Sequence, residues 1–213
     1  MKPISIFFSL LFFLSSCAQK TNTDLKIPVG SKQKPRANEA VATFAQGCFW
    51  HSEIIFQSLV GVRDAVSGFS GGNVKNPNYE AVTTGNTGHA ECVQVYYDPA
   101  KISYETLVKA FFASQDPTQL NRQGPDVGPQ YRSMAFYRNE KEKQIIEAEI
   151  ARLTNAKLYS KKIVTEVVPF KQFYPAEDYH QEYVLNHPDN VYVQRVSIPD
   201  FVHFKTNFKG NYK

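Results

Sequence analysis

Three cysteines in 213 residues are too few for a disulfide-stapled scaffold, so stability must come from a hydrophobic core. None of them forms a CxxC pair, the five histidines lie far apart, and no HExxH run occurs. A metal site therefore has no recognisable ligand spacing. Excess charge is lacking too: 24 Lys and Arg stand against 20 Asp and Glu, a net charge of +4. The lysines are scattered, and Lys161-Lys162, the nearest approach to a basic cluster, reads as solvated surface, so nucleic acid is not an expected partner. There is no internal repeat. This length leads us to expect one domain with ample chain for a core.

Long apolar runs are absent except at the start. Lys2 supplies a short positive region, Ile4 to Leu14 is mostly apolar, and the stretch closes with Leu14-Ser15-Ser16-Cys17. Such a segment is too short to span a bilayer stably but suits a signal peptide. Small residues before Cys17 resemble the bacterial lipobox, in which the cysteine is lipidated and becomes the mature N-terminus; a plain secretory signal is the alternative. The expectation is a signal peptide over 1–17 and a flexible polar tether over 18–40. A folded domain over 41–200 and a tail over 201–213 follow. The protein would then be lipid-anchored on the periplasmic side of the bacterial cell envelope.

What is present begins with Gln46-Gly47-Cys48-Phe49-Trp50, which holds the only tryptophan. A cysteine after a glycine turn, at the start of a helix, meets unpaired backbone N–H groups that favour a thiolate. Phe49 and Trp50 add an apolar wall able to hold a methyl group. A low-pKa sulfur beside such a wall points to redox or transfer chemistry; a packed structural cysteine is the plain alternative. Around it, strands are expected at 41–45, 61–69, 90–97, 130–137 and 163–168. Helices are expected from 48 to 59, after a Ser103 cap, after an Asn139–Glu142 cap, and over 176–185. Gly124 to Pro129 reads as a loop. His180 and His187 read as polar groups near a helix end. Mixed strands and helices predict an α+β domain of two layers.

Six runs in order resemble the A-type peptide methionine sulfoxide reductases. They are Gly47-Cys48-Phe49-Trp50; Gly68 to Gly72 with Asn76 to Tyr79; Thr87 to Glu91; Asp116-Pro117-Thr118 with Asn121 to Gly124; Asp126-Val127-Gly128 with Gln130 to Ser133; and Ala176 to Gln181. The resemblance implies a two-layer sandwich with a mixed sheet, flanking helices, a ferredoxin-like core and long functional loops. It also implies thiol-dependent reduction of the S epimer of methionine sulfoxide, free or in proteins, through a sulfenic acid on Cys48. Glu91, Tyr79 and Tyr131 would supply protons to the departing oxygen, with Glu91 the main acid and its pKa raised. Asp126 would orient water or a neighbour, and Phe49 and Trp50 would bind the substrate methyl. No cofactor is implied, only an external thiol reductant such as a thioredoxin-like protein, acting on a monomer. A thiol peroxidase and a non-catalytic binder of Met-rich proteins are the competing functions.

Two departures stand out. His51 occupies a position where the family commonly has a small residue; near the first turn of the helix it could tune Cys48 electrostatically, but it is expected to face solvent. No cysteine follows Cys92, and alternation along its strand points Cys92 away from the face that Glu91 uses. Cys92 is therefore expected to be a quiet thiol.

Overall fold

The computed structural model describes residues 34–213; the expected signal peptide with Cys17, and the tether up to residue 33, lie outside the described residues. In chain order the elements are β1 (Ala40–Gln46), α1 (Phe49–Gln57), β2 (Val62–Ser70), α2 (Tyr79–Thr83), β3 (Ala90–Tyr97) and α3 (Tyr104–Ala113). There follow β4 (Arg122–Gln123), β5 (Asp126–Val127), β6 (Ser133–Tyr137), α4 (Glu140–Asn155), β7 (Glu166–Pro169), β8 (Phe173–Pro175), α5 (Tyr183–Asn186) and α6 (Ile198–Asn207).

Six strands pair in the order β7-β6-β1-β3-β2-β8, and β6–β7 is the parallel pairing that makes the sheet mixed. Its central strands β6-β1-β3-β2, crossed by α1 and α3, have the ferredoxin-like βαββαβ order. Burial divides the molecule into two layers. Residues of α1, α3, α4 and α6 pack with Phe44, Val93 and Val95 in the main core, where Phe44 stacks between Phe56 at 5.3 Å and Phe111 at 5.1 Å. The opposite sheet face buries a smaller strand-derived set that includes Ala45, Cys92, Tyr96, Met134 and Phe136.

Capping fixes several element starts. Ser103 Oγ accepts the Thr106 N–H at 3.1 Å, and Asn139 Oδ1 accepts the Glu142 N–H at 2.9 Å. Glu142 reaches back to the Arg138 N–H at 2.7 Å, one residue before the cap, and so satisfies a further donor.

Four local expectations need correction. The strand expected from Gln130 begins at Ser133, because Pro129–Tyr131 forms a 3-10 turn. The 124–129 loop carries β5, paired with β4 as a small ribbon that turns at Gly124-Pro125. The helix expected over 176–185 is broken into a 3-10 turn (Asp178–His180) and α5, with Glu182 between them at φ +54°. Finally, the boundary placed at 200/201 falls inside α6, whose Phe201 and Phe204 are buried in the main core; Tyr212 then bridges back to Leu59.

Candidate active site

Cys48 stands where β1 passes into α1. Gly47 makes that passage with φ +87°, and a Cβ there would lie 2.6 Å from Gln123 Cβ, so only glycine fits both the dihedral and the space. Cys48 is the N-cap residue of α1 and is 7% exposed. The Trp50 N–H hydrogen-bonds its sulfur, which favours the thiolate, but burial first and then the charge of Glu91 push the thiol well above its usual range. The expected low-pKa thiolate is thus corrected. Desolvation outweighs the helix terminus, and the resting group is a thiol.

Glu91 comes from β3 and is 1% exposed. Its Oε2 accepts the Phe49 N–H, the first free donor of α1, at 3.1 Å. Burial nevertheless pushes its pKa up to about 8, against the pull of that hydrogen bond. Glu91 is therefore a neutral acid at neutral pH, and its charge does not then oppose ionisation of Cys48.

Tyr79 opens α2, Tyr131 ends the 3-10 turn and Asp126 opens β5. These separate loops converge on Cys48. Both phenols are half-buried, and burial first, then the charge of Glu91, pushes their pKa values up, so both hold their protons. Cys48 contributes to both shifts as a near neighbour, and the Asp126 charge is felt at Cys48 in turn. Tyr192 joins this group although sequence reasoning passed over it: its hydroxyl donates to Asp126 Oδ2 at 2.5 Å and also bonds the Cys48 sulfur. Asn190, which accepts the N–H groups of Tyr192 and Val193, was the readable signal for a turn there. Its closeness to Cys48, 144 positions earlier in the chain as counted from Tyr192, had no local signature.

The apolar wall is larger than Phe49 and Trp50. Phe49 is buried, 6.1 Å from the Tyr79 ring and 5.1 Å from His180. Trp50 is half-buried and stacks on Tyr183 at 3.7 Å and 6°. His180, read from sequence as a polar group near a helix end, is 2% exposed, and its Nδ1 accepts the Trp50 indole N–H at 3.1 Å. His187 fits the plainer description, an exposed residue at the end of α5.

His51 does not face solvent. It is 2% exposed because α6 packs against α1, and it lines a cavity of about 370 Å³ with Asp116, Asp126, Arg195 and Asp200. Burial lowers its pKa, so the imidazole is neutral at neutral pH. Cys92 lies in the core on the opposite sheet face from Cys48, and the two are free thiols. Among the described residues no cluster of His, Cys, Asp or Glu suits a metal ion.

A buried thiol, a neutral carboxyl and proton-bearing phenols thus meet on a ferredoxin-like sheet. The family profile described as "Peptide methionine sulfoxide reductase" matches residues 40–211. Peptide methionine sulfoxide reductase MsrA 1 of Rhodopirellula baltica is 47% identical over 84% of this chain and 93% of its own length. The MsrA of Pasteurella multocida is 48% identical over 81% of this chain and 98% of its own. Among solved structures, yeast Mxr1 in reduced form superposes with a TM-score of 0.70 at 32% identity, covering 76% of this chain and 93% of that one. The chain belongs to the A-type peptide methionine sulfoxide reductase family, and its activity is the reduction of methionine sulfoxide.

Proposed function

We propose that this chain reduces the S epimer of methionine sulfoxide, free or within polypeptides, with Cys48 as nucleophile and Glu91 as the principal acid. One observation carries the reading: the thiol shares its buried surroundings with a neutral carboxyl and two phenols that keep their protons. The substrate methyl rests against Phe49 and Trp50, and that fit selects the epimer.

The thiol proton leaves towards Asp126 through the Tyr192 hydroxyl, which bonds both groups. The Cys48 sulfur attacks the sulfoxide sulfur while the sulfoxide oxygen takes the Glu91 proton. The S–O bond of the substrate breaks and the oxygen, as hydroxyl, ends on Cys48 as a sulfenic acid. The substrate sulfur is reduced by two electrons, the Cys48 sulfur is oxidised by two, and the proton that Cys48 released restores Glu91. Tyr79 and Tyr131 hydrogen-bond the oxygen as charge builds on it. An external thiol then attacks the sulfenic sulfur, water leaves, and a second thiol frees Cys48 as a disulfide of the reductant forms. A thioredoxin-like protein or small thiols fit this step, since Cys92 lies across the sheet. The leader ending at Cys17 supports anchoring in the cell envelope.

Separated sulfoxide epimers with dithiothreitol test the reading. Only the S epimer should turn over, and Cys48→Ser should abolish activity while leaving the melting curve in place. Turnover of hydrogen peroxide in place of sulfoxide, or activity surviving in Cys48→Ser, would overturn it.

A further inference from the structure

The reaction leaves unused a second buried carboxyl. Glu53 lies in α1, 2% exposed, and its hydrogen bonds lead to the aromatic wall. Its Oε1 accepts the Glu182 N–H at 2.9 Å and the Gln57 side-chain N–H at 3.2 Å. Its Oε2 lies 2.6 Å from Ser67 Oγ, which also reaches the Phe49 carbonyl at 3.4 Å.

Glu182 is the residue at φ +54°, a backbone state that side chains other than glycine adopt at a cost, so the surroundings must hold it. The chain reverses there between two parts of the wall. Just before it, His180 accepts the Trp50 indole N–H and lies 4.2 Å from the Tyr79 ring. Just after it, Tyr183 stacks on Trp50. Gln181 ties the same turn to β2: its Oε1 accepts the Ser67 N–H, and its Nε2 donates to the Ser67 and Ala176 carbonyls, each at 3.0 Å. The wall that faces the substrate is thus a short irregular segment held by the buried Glu53 and the half-buried Gln181.

We propose that Glu53 is a positioning residue for substrate capture: by accepting the Glu182 N–H it holds residues 180–183 in the left-handed turn that sets His180 and Tyr183 against Trp50. The proposal rests on the reading of Trp50 as the methyl-binding wall. Glu53 touches neither the sulfur nor the oxygen of the substrate, so its loss acts on binding and leaves the chemical step in place.

Single-turnover formation of methionine without reductant, measured against sulfoxide concentration, separates the two. Glu53→Ala should raise the half-saturating concentration about tenfold, the scale expected for one buried hydrogen bond, with the plateau rate within about twofold. Emission of the sole tryptophan should shift as its stacking loosens. Glu53→Gln should behave as wild type, because its amide oxygen still accepts from Glu182 and its N–H can serve Ser67. Adding Glu182→Gly to Glu53→Ala should recover much of the binding, since glycine takes φ +54° without a restraint. If Glu53→Ala fails to fold, Gln181→Ala should give the same separation.

Unchanged half-saturation and emission in Glu53→Ala would overturn the proposal, as would a Glu53→Gln variant equally impaired or a glycine that restores nothing. For an unfolded Glu53→Ala, unchanged binding in Gln181→Ala would do the same. A wild-type protein that forms no methionine would remove the functional reading and this proposal together. An active wild type beside an indifferent Glu53→Ala would remove the positioning role alone.

Discussion

Glu91 combines two opposed influences at a single residue. The free N–H of Phe49 at the start of α1 stabilises its anion, while near-complete burial penalises it, and burial prevails with a pKa of about 8. The acid form is the one that donates a proton, so the plateau rate of the chemical step should fall as pH rises through about 8. Glu91→Gln keeps the shape and can still hydrogen-bond, but it has no proton to give. It should lower that rate by about 10² to 10⁴ and lose the alkaline decline; single-turnover rates from pH 6 to 9.5 check both. A glutamine variant with near wild-type rate, or one that keeps the decline, would place the acid elsewhere. Tyr192 calls for a parallel measurement, since its hydroxyl links the thiol to Asp126. Tyr192→Phe should slow reaction of Cys48 with iodoacetamide at neutral pH by about tenfold, through loss of one hydrogen bond to the thiolate. An unchanged rate would show that the thiol proton leaves by another route.

At the scale of elements, the site depends on joints more than on helices or strands. Gly47 turns β1 into α1 against the side chain of Gln123, and Gln123 in turn bonds the backbone of Asp116 through both ends of its amide. Gly47→Ala should therefore lower stability by about 1–3 kcal/mol, seen as a fall of several degrees in melting temperature, and should lower activity by shifting Cys48. An unchanged melting curve would mean that the turn tolerates a side chain. These joints also mark where the sequence was legible. The strand–glycine–cysteine–helix order, the Ser103 and Asn139 caps and the alternation that separates Glu91 from Cys92 are local patterns, and local physics decides them. The break at Glu182 was not legible, because its restraint comes from Glu53, 129 positions away. Burial of His51 depends likewise on α6 lying over α1, and the place of Tyr192 on a turn near the far end of the chain. Each depends on packing between remote segments, and no spacing records that.

At the scale of the whole molecule, the sheet itself governs what can follow the first half-reaction. Cys48 lies on the helix-covered face and Cys92 on the other, buried at 1% exposure among Ala45, Val66 and Met134. A disulfide needs converging Cβ vectors as well as Cα atoms within roughly 7 Å, and a strand cannot turn one residue over without moving its neighbours, Glu91 among them. Burial also pushes the Cys92 thiol well above its usual range, which removes the thiolate that such an attack would need. With no reductant present, one sulfoxide should therefore be consumed per chain and the oxidised enzyme should persist as the Cys48 sulfenic acid. Dimedone added at that point should label Cys48, as read by mass spectrometry of peptides, and Cys92→Ser should leave both the labelling and the steady-state turnover with dithiothreitol unchanged. A peptide pair joined through Cys48 and Cys92, or turnover lost in Cys92→Ser, would mean that the sheet opens during catalysis and that the second thiol belongs to the reaction.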